Sequence, residues 1–552
     1  MEYTAYKIWD LYQKGIDYLN KKHLITETNR AWDFYLGNQW KGLKSGGMEM
    51  PKFNFIKPNV TRLTTTIFSN RLAVTYTDLE GRTELQPYYD MLQRKYAEDW
   101  EQAKLDKRLY ATVKEACITG DGLLFFGHGA KASKVQRLDN TAVLYGDESE
   151  PEIQKQPYLI IHQRETVKSV RKQARKNKLP EEVINSIVAD TDTKEVIGNK
   201  AEVDDTGQTE NGKVTTLIYF TKNEEGIVCT MRCTNAVIYE PFHELMGGAS
   251  AIDQANGKSG RGLRLYPIVK LSWELRPNDA RGVSHVRQII PNQIELNKNL
   301  ARLSMASKMV SFPRLVYLDG SVINEEALDT VGGKIALQGQ DVNEVNKLIT
   351  YIQPAQVSSL PKNLSDDLLH ITQELAFSGD VTMGNVDELS RVAASAINAV
   401  NDKAESMLDE QVANMAQFGE DIAMLLAELH MVYEPDGFAI EETVIDPMTG
   451  EPMVDPVSGL PIKEKKMLTQ EMMDMMMPSV RVDVTKENSF NILARDKFLD
   501  DLLASHEIDL ETRTRLASEG SPIPKHELLA ELPRMRDRQM QMAQPPEAQQ
   551  PM

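Results

Sequence analysis

Ile8, Leu11, Tyr12, Ile16 and Leu19 recur at helical spacing, predicting an amphipathic helix near the N-terminus. A second short helix and a loop over Gly42–Gly47 complete the first fifty residues. Val60, Leu63, Ile67 and Phe68 share one side of a helix predicted over Pro58–Leu72, and Pro58 suits its first turn, where a missing N–H costs nothing. Pro87–Gly120 reads as one long helix ending at Gly120-Asp121-Gly122, and the apolar run Leu123–Phe126 as a strand.

From residue 135 to 275 the pattern is mixed, with strands predicted at Tyr158–His162, Val214–Thr221, Ile227–Cys233, Ala236–Tyr239 and Ile268–Trp273. Thr166–Lys178 lies among them as a basic helix carrying Lys168, Arg171, Lys172, Arg175, Lys176 and Lys178. A nucleic-acid contact is one reading of it, and a solvated helix face is the commoner cause of such a run. The acidic stretch Asp190–Asn211 reads as a mobile loop. Val286, Ile289, Ile290, Ile294, Asn297 and Leu300 track one side of a strong helix over 283–310, closed by Pro313. Strands at Leu315–Leu318 and Lys334–Leu337 follow, with a short helix, Asn324–Thr330, between them. As two edge strands they would leave backbone groups for a neighbouring chain to pair. Leu360–Phe377 is helical, Gly379–Gly384 is a break, and a helical pattern then runs unbroken from Val386 to Tyr433. A helix of that length would span about 70 Å, the scale of a large assembly. Two Asp-Pro turns closed by Gly, Asp446–Gly450 and Asp455–Gly459, make a loop or hairpin. A strand at Val480–Val484, helices from Asn488 and a Gln/Pro/Met-rich, disordered end at Gln539–Met552 finish the chain.

The 552 residues exceed one ordinary core, so roughly two to four structural units are expected. A net charge of −18 argues against tight nucleic-acid binding, which needs an excess of cations. It would suit a channel through which DNA slides, and it would equally keep a large protein in solution. Three cysteines, Cys117, Cys229 and Cys233, argue against a disulfide framework and fit a reducing cytosol. No run of apolar residues is long enough for a membrane span, so no membrane partner is expected.

Tests for catalytic motifs fail on spacing. Gly257-Lys258-Ser259 mimics the end of a phosphate loop, but Ile252 stands where its first glycine belongs, and a strand rather than a helix follows. His243-Glu244, His506-Glu507 and His526-Glu527 each lack the second histidine of a zinc-protease helix. Gly282-Val283-Ser284 lacks the closing glycine of a nucleophile elbow, with Val286 in its place. No catalytic constellation, metal site or cofactor is expected. The cluster Met472–Met477 fits either a subunit interface or ordinary helix packing, the second being the commoner.

Five segments, in order along the chain, resemble the portal proteins (head–tail connectors) of tailed bacteriophages. They are Trp32–Trp40, with its Tyr35-Leu36-Gly37-Asn38-Gln39-Trp40; Phe53–Val60, an Asn-x-x-x-Pro approach to a helix; Ala116–Leu124, a helix–Gly-Asp-Gly–strand passage; Gly282-Val283-Ser284 with Pro291, Gln293 and Asn297; and Leu389–Ile397. Arg391 departs from the pattern, standing where family members often have glycine and adding a positive charge near the tunnel. The resemblance implies an α+β, mostly helical subunit of wing, stem, clip and crown. Residues 1–282 would be the N-terminal part of the wing, 283–310 and 358–379 two stem helices, 311–357 the clip and 380–390 the tunnel loop. Residues 391–490 would hold the long wing helix and the rest of the wing, 491–538 the crown helices and 539–552 a tail. It further implies a homo-oligomeric ring of about twelve subunits at one capsid vertex, assembled in the host cytoplasm. Its implied partners are a terminase motor, a head–tail adaptor, major capsid and scaffolding proteins, and double-stranded DNA passing through. Channel-lining candidates are Asp380, Asn385, Asp387, Glu388 and Arg391 at the loop, and Lys298, Arg302 and Lys308 on the stem. Another virion structural protein, or a metal-dependent nucleic-acid enzyme, is the alternative.

Overall fold

The structure, a computed structural model, describes residues 4–42, 49–68, 70–127, 135–190, 212–248, 260–311, 315–324, 334–338, 345–351, 360–375, 407–434, 438–443, 463–468, 478–486 and 489–505, with a few single positions besides. The fold is mixed α+β. Its helices are α1 (Ala5–Lys21), α2 (Leu24–Leu36), α3 (Ile56–Phe68), α4 (Gln86–Gln102), α5 (Leu105–Thr119), α6 (Val167–Lys176), α7 (Glu181–Asn185), α8 (His285–Ser311), α9 (Val345–Leu348), α10 (Leu360–Leu375), α11 (Asp409–Tyr433) and α12 (Ser489–Ala504). The strands are β1 (Asn70–Asp78), β2 (Asp121–Phe126), β3 (Val135–Leu138), β4 (Val143–Tyr145), β5 (Tyr158–Thr166), β6 (Lys213–Lys222), β7 (Val228–Cys233), β8 (Ile238–Glu244), β9 (Ile268–Ser272), β10 (Leu315–Tyr317), β11 (Ile349–Tyr351), β12 (Phe438–Thr443), β13 (Lys463–Leu468) and β14 (Pro478–Lys486).

Two antiparallel sheets organise the N-terminal half: β3-β2-β9, and the meander β4-β5-β6-β7-β8. β2 is buried along its whole length, as a run of apolar residues without polar alternation requires. Helices α3, α5, α8 and α11 contribute to one core with these sheets, where Val60, Val113, Leu123, Val286 and Phe418 are at most 1% exposed. A second core forms beneath the β1–β14 ribbon, where Val74, Tyr76, Tyr89, Met431 and Met476 meet. Met472 packs against that core too, so both described members of the methionine cluster face the protein's own interior.

Four expectations are corrected. The helix read over Pro58–Leu72 runs from Ile56 to Phe68, and Leu72, Val74 and Tyr76 then alternate along β1 rather than extending the helix. Pro87–Gly120 is two helices, broken at Lys104, whose φ of 50° lies in the left-handed region. The strand read over Ala236–Tyr239 begins at Ile238 and runs on to Glu244, because Thr234 and Val237 close a turn before it. β10 pairs with Ile349–Tyr351 of the same chain, whereas Lys334–Leu337 makes only an isolated bridge between Leu337 and Val322. β10 therefore has an internal partner on one edge. The Gly379–Gly384 break, the Asp190–Asn211 loop from residue 191, the Asp-Pro turns, the tail and the first half of the Val386–Tyr433 helix lie outside the described residues; its described part is α11. Most of Asn324–Thr330 lies outside them as well.

Candidate functional site

α8 has 27 residues, about 40 Å of helix, and two different halves. Its buried positions run from His285 to Ala301, and none of the ten residues after Ala301 is buried. The buried half is the root, where four of the motif segments meet.

At the start of the root, Gly120 and Gly282 pass in backbone contact. A Cβ on Gly120 would lie 2.3 Å from the Gly282 carbonyl oxygen, and a Cβ on Gly282 would lie 2.4 Å from that of Gly120. Gly120 also has a φ of +105°, which side chains disfavour. The contact is locked by Asp121, whose carboxylate accepts from the Gly282 N–H at 2.9 Å and from the Ser272 hydroxyl at 2.6 Å. Ser284 caps the helix, accepting from the Arg287 N–H at 3.1 Å while donating to the Ile118 carbonyl at 2.6 Å. Beside it, the buried Arg281 pairs with the half-buried Glu148, which accepts from its Nε at 3.0 Å and its Nη2 at 2.9 Å. The same guanidinium donates to the carbonyls of Asn140 and Val143 and lies over the Tyr145 ring. Burial opposes the Arg281 charge, but the Glu148 carboxylate outweighs it and raises the pKa.

At the first residue of α8, burial and the nearby Arg62 charge lower the His285 pKa to about 4, so its neutral ring faces Asn59 Nδ2 at 3.1 Å. Gln293 then accepts from the Phe55 N–H at 3.0 Å and donates to the Phe53 carbonyl at 2.5 Å. Asn297 accepts from the Phe53 N–H at 3.2 Å and donates to Gln39 Oε1 at 2.5 Å. Gln39 is itself held to the Phe34 carbonyl, and Trp40 Nε1 donates to the Pro51 carbonyl at 2.9 Å. These buried amides on α8 clamp the tight turn Phe53–Phe55, where the Phe55 N–H also donates to the Phe53 carbonyl at 3.0 Å, and so tie backbone groups that lie outside any sheet ladder to the helix. A cavity of about 830 Å³ opens next to the clamp, lined among others by Asp33, Phe34, Gln39, Trp40, Asn297 and Lys298.

The second half of α8 is exposed. Its Met305, Met309 and Val310 are 39%, 48% and 45% exposed, and Val316, Leu318 and Ile323 beyond it are as open. α10 packs beside α8, and the bond from Asn292 Nδ2 to Thr372 Oγ1 (3.1 Å) places the start of one helix against the end of the other, an antiparallel pair. Leu364 and Ile371 on α10 are half exposed.

The stem candidates fall on α8, each already engaged. Lys298 pairs with Glu295 at 2.7 Å, Arg302 donates to Asn299 Oδ1 at 2.9 Å, and Lys308 pairs with Glu49. Asp380, Asn385, Asp387, Glu388 and Arg391 lie outside the described residues, as does the segment Leu389–Ile397. So does Gly257-Lys258-Ser259. Cys229 and Cys233 are buried free thiols in β7, and among the described residues no group of three His, Cys, Asp or Glu could hold a metal. No described helix is long and apolar enough to cross a membrane. Asp121, Arg281 and Glu148 were not among the predicted site residues; the Gly-Asp-Gly signal marked the turn, but nothing local marks Arg281 as buried.

Comparison with known protein families gives no matching family model, and comparison with curated proteins gives no match.

Proposed function

We propose that this chain is the subunit of a tailed-phage portal: a ring at one capsid vertex that forms the channel for DNA packaging and ejection. The observation that carries the reading is the meeting of four separate motif segments at the root of α8, each bonded to another through buried polar groups. Segments that resemble one family in order, and also assemble into one structural node, are a stronger match than any of them alone. The exposed apolar residues on the outer half of α8 and on α10 support a helix pair packed between neighbours in a ring. In this reading the ring has about twelve subunits and docks a terminase motor, a head–tail adaptor, and capsid and scaffolding proteins. The engaged state of Lys298, Arg302 and Lys308 suits a passage with few free cations to brake DNA through counterion release.

Cryo-electron microscopy of the purified chain tests the proposal. End-on class averages with about a dozen subunits around a hole that admits a duplex are the expected result. Monomers and dimers at all salt and protein concentrations would overturn it.

A further inference from the structure

The basic helix α6 sits on a different element from the α8 root and has no part in the reading above. Its Val167, Val170 and Ala174 are buried in a small core with Ile184, Ile187, Val214 and Tyr239, which fixes the helix rigidly against β8. Thr166 caps its start, and the Asn177 amide donates to the Tyr239 carbonyl at 2.8 Å to pin its end. The arginines are engaged: Arg171 donates to the Ile187 carbonyl at 2.9 Å, and Arg175 pairs with Glu181 at 3.2 Å. The lysines are not. Lys168, Lys172 and Lys176 are exposed at four-residue steps, and among the described residues no ion pair holds them. They form a row of ammonium groups about 6 Å apart along the axis, on a chain of net charge −18.

We propose that this lysine row is a sequence-independent contact for the phosphate backbone of double-stranded nucleic acid, outside any channel. Four features select that ligand. Lysine is depleted in protein–protein interfaces, so a lysine row with no ion pair among the described residues fits an acidic protein surface poorly. The apolar side of α6 is spent on the protein's own core, leaving nothing to insert into a lipid surface. The exposed side carries no aromatic ring on which an unpaired base could stack, as a single-strand site would need. Ammonium groups on flexible stems read charge and not geometry, as register-free contact with a duplex requires. Glu165 is occupied by Ser169 and Gln173, Glu181 by Arg175, Glu240 by Arg232 and Glu244 by Asn223, while Glu182 at the start of α7 is exposed and adds a negative charge near the row. The surrounding negative charge makes the contact weak and confined to low salt.

The proposal does not rest on the portal reading, and its test is separate. Fluorescence anisotropy with a labelled duplex is measured from low to physiological salt for the full chain, for K168Q/K172Q/K176Q, and for a control, K21Q/K52Q/K107Q, that removes the same charge from other exposed positions. The α6 variant should reduce the slope of log affinity against log salt by about 2–3, the loss of three phosphate contacts, with the control unchanged. Circular dichroism should match among the three proteins. Equal losses in the two variants, no binding by the unaltered chain at low salt, or competition by polyglutamate as strong as by unlabelled duplex would each overturn the proposal. The last would point to an acidic protein partner. Binding of anionic phosphatidylserine vesicles but not of duplex would overturn it in favour of a membrane surface.

Discussion

The two halves of α8 satisfy opposite conditions within one continuous helix. The root, from His285 to Ala301, buries polar groups and pairs nearly all of them within the chain. The outer half carries methionine and valine into water and buries none of its residues. A buried polar network fixes one arrangement, because each group left unpaired would cost about 1–3 kcal/mol. An exposed apolar row fixes nothing until something covers it. The first half therefore specifies the fold of the subunit, and the second is free to be shaped by its neighbours.

Mutations sharpen this division, and the largest effects belong to the root. Gly282→Ala or Gly120→Ala drives a methyl into a backbone carbonyl, and neither chain should accumulate in folded form; recovery of folded protein by circular dichroism checks this, and a stable Gly282→Ala protein would break the account of the contact. Arg281→Met removes a buried guanidinium and leaves the half-buried Glu148 carboxylate and the Asn140 and Val143 carbonyls without their donor, and should cost about 3 kcal/mol in urea unfolding. A pH series should come next. Burial opposes the charge on His430, but hydrogen bonds to Asp99 and Glu434 outweigh it and raise its pKa to about 9. A histidine raised in the folded state stabilises fully below its unfolded pKa, near 6.5, and that contribution is lost as pH rises through 9. Stability should thus fall between these limits by up to about 3 kcal/mol, and His430→Gln should flatten the fall. Burial, with the neighbouring Asp139, raises Glu115 to about 8, so its contribution is present below 4.5 and lost towards 8, and Glu115→Gln should flatten that lower range. The smallest effect on stability belongs to the outer half: Met305→Gln with Met309→Gln should change unfolding by under about 0.5 kcal/mol. The same pair should weaken self-association in mass photometry if neighbours cover this face.

Much of the fold was legible where apolar spacing was strong. The helices α1, α8 and α10 and the strands β5, β6, β7 and β9 fall where periodicity placed them, because a buried face requires that spacing. β1 was missed although Leu72, Val74 and Tyr76 alternate, since the helical pattern of Val60–Phe68 ran into the first of them. The break at Lys104 has no glycine or proline to announce it; it turns α5 so that Leu109, Val113 and Ala116 reach the main core. The pairing of β10 with β11 was unreadable because both strands are three residues long. At the site, glycines and amides in the motif segments were visible as letters. Their partnership depends on positions more than two hundred residues apart, which no local pattern encodes.

The β1–β14 ribbon has a consequence for how the chain is made. Asn70 pairs with Lys486 and Asp78 with Pro478, so β1 waits for a partner some four hundred residues further along the chain. At ordinary translation speeds that interval lasts about 20–80 s. For most of it, Val74 and Tyr76 have emerged while α11, which helps to bury them, has not been synthesised, and β14 follows only at the end. The second core can therefore close only near the end of synthesis, and a nascent subunit must carry an unpaired, apolar strand until then. Ribosome-bound chains stopped before residue 478 should recruit holdase chaperones, and chains extended past β14 should release them.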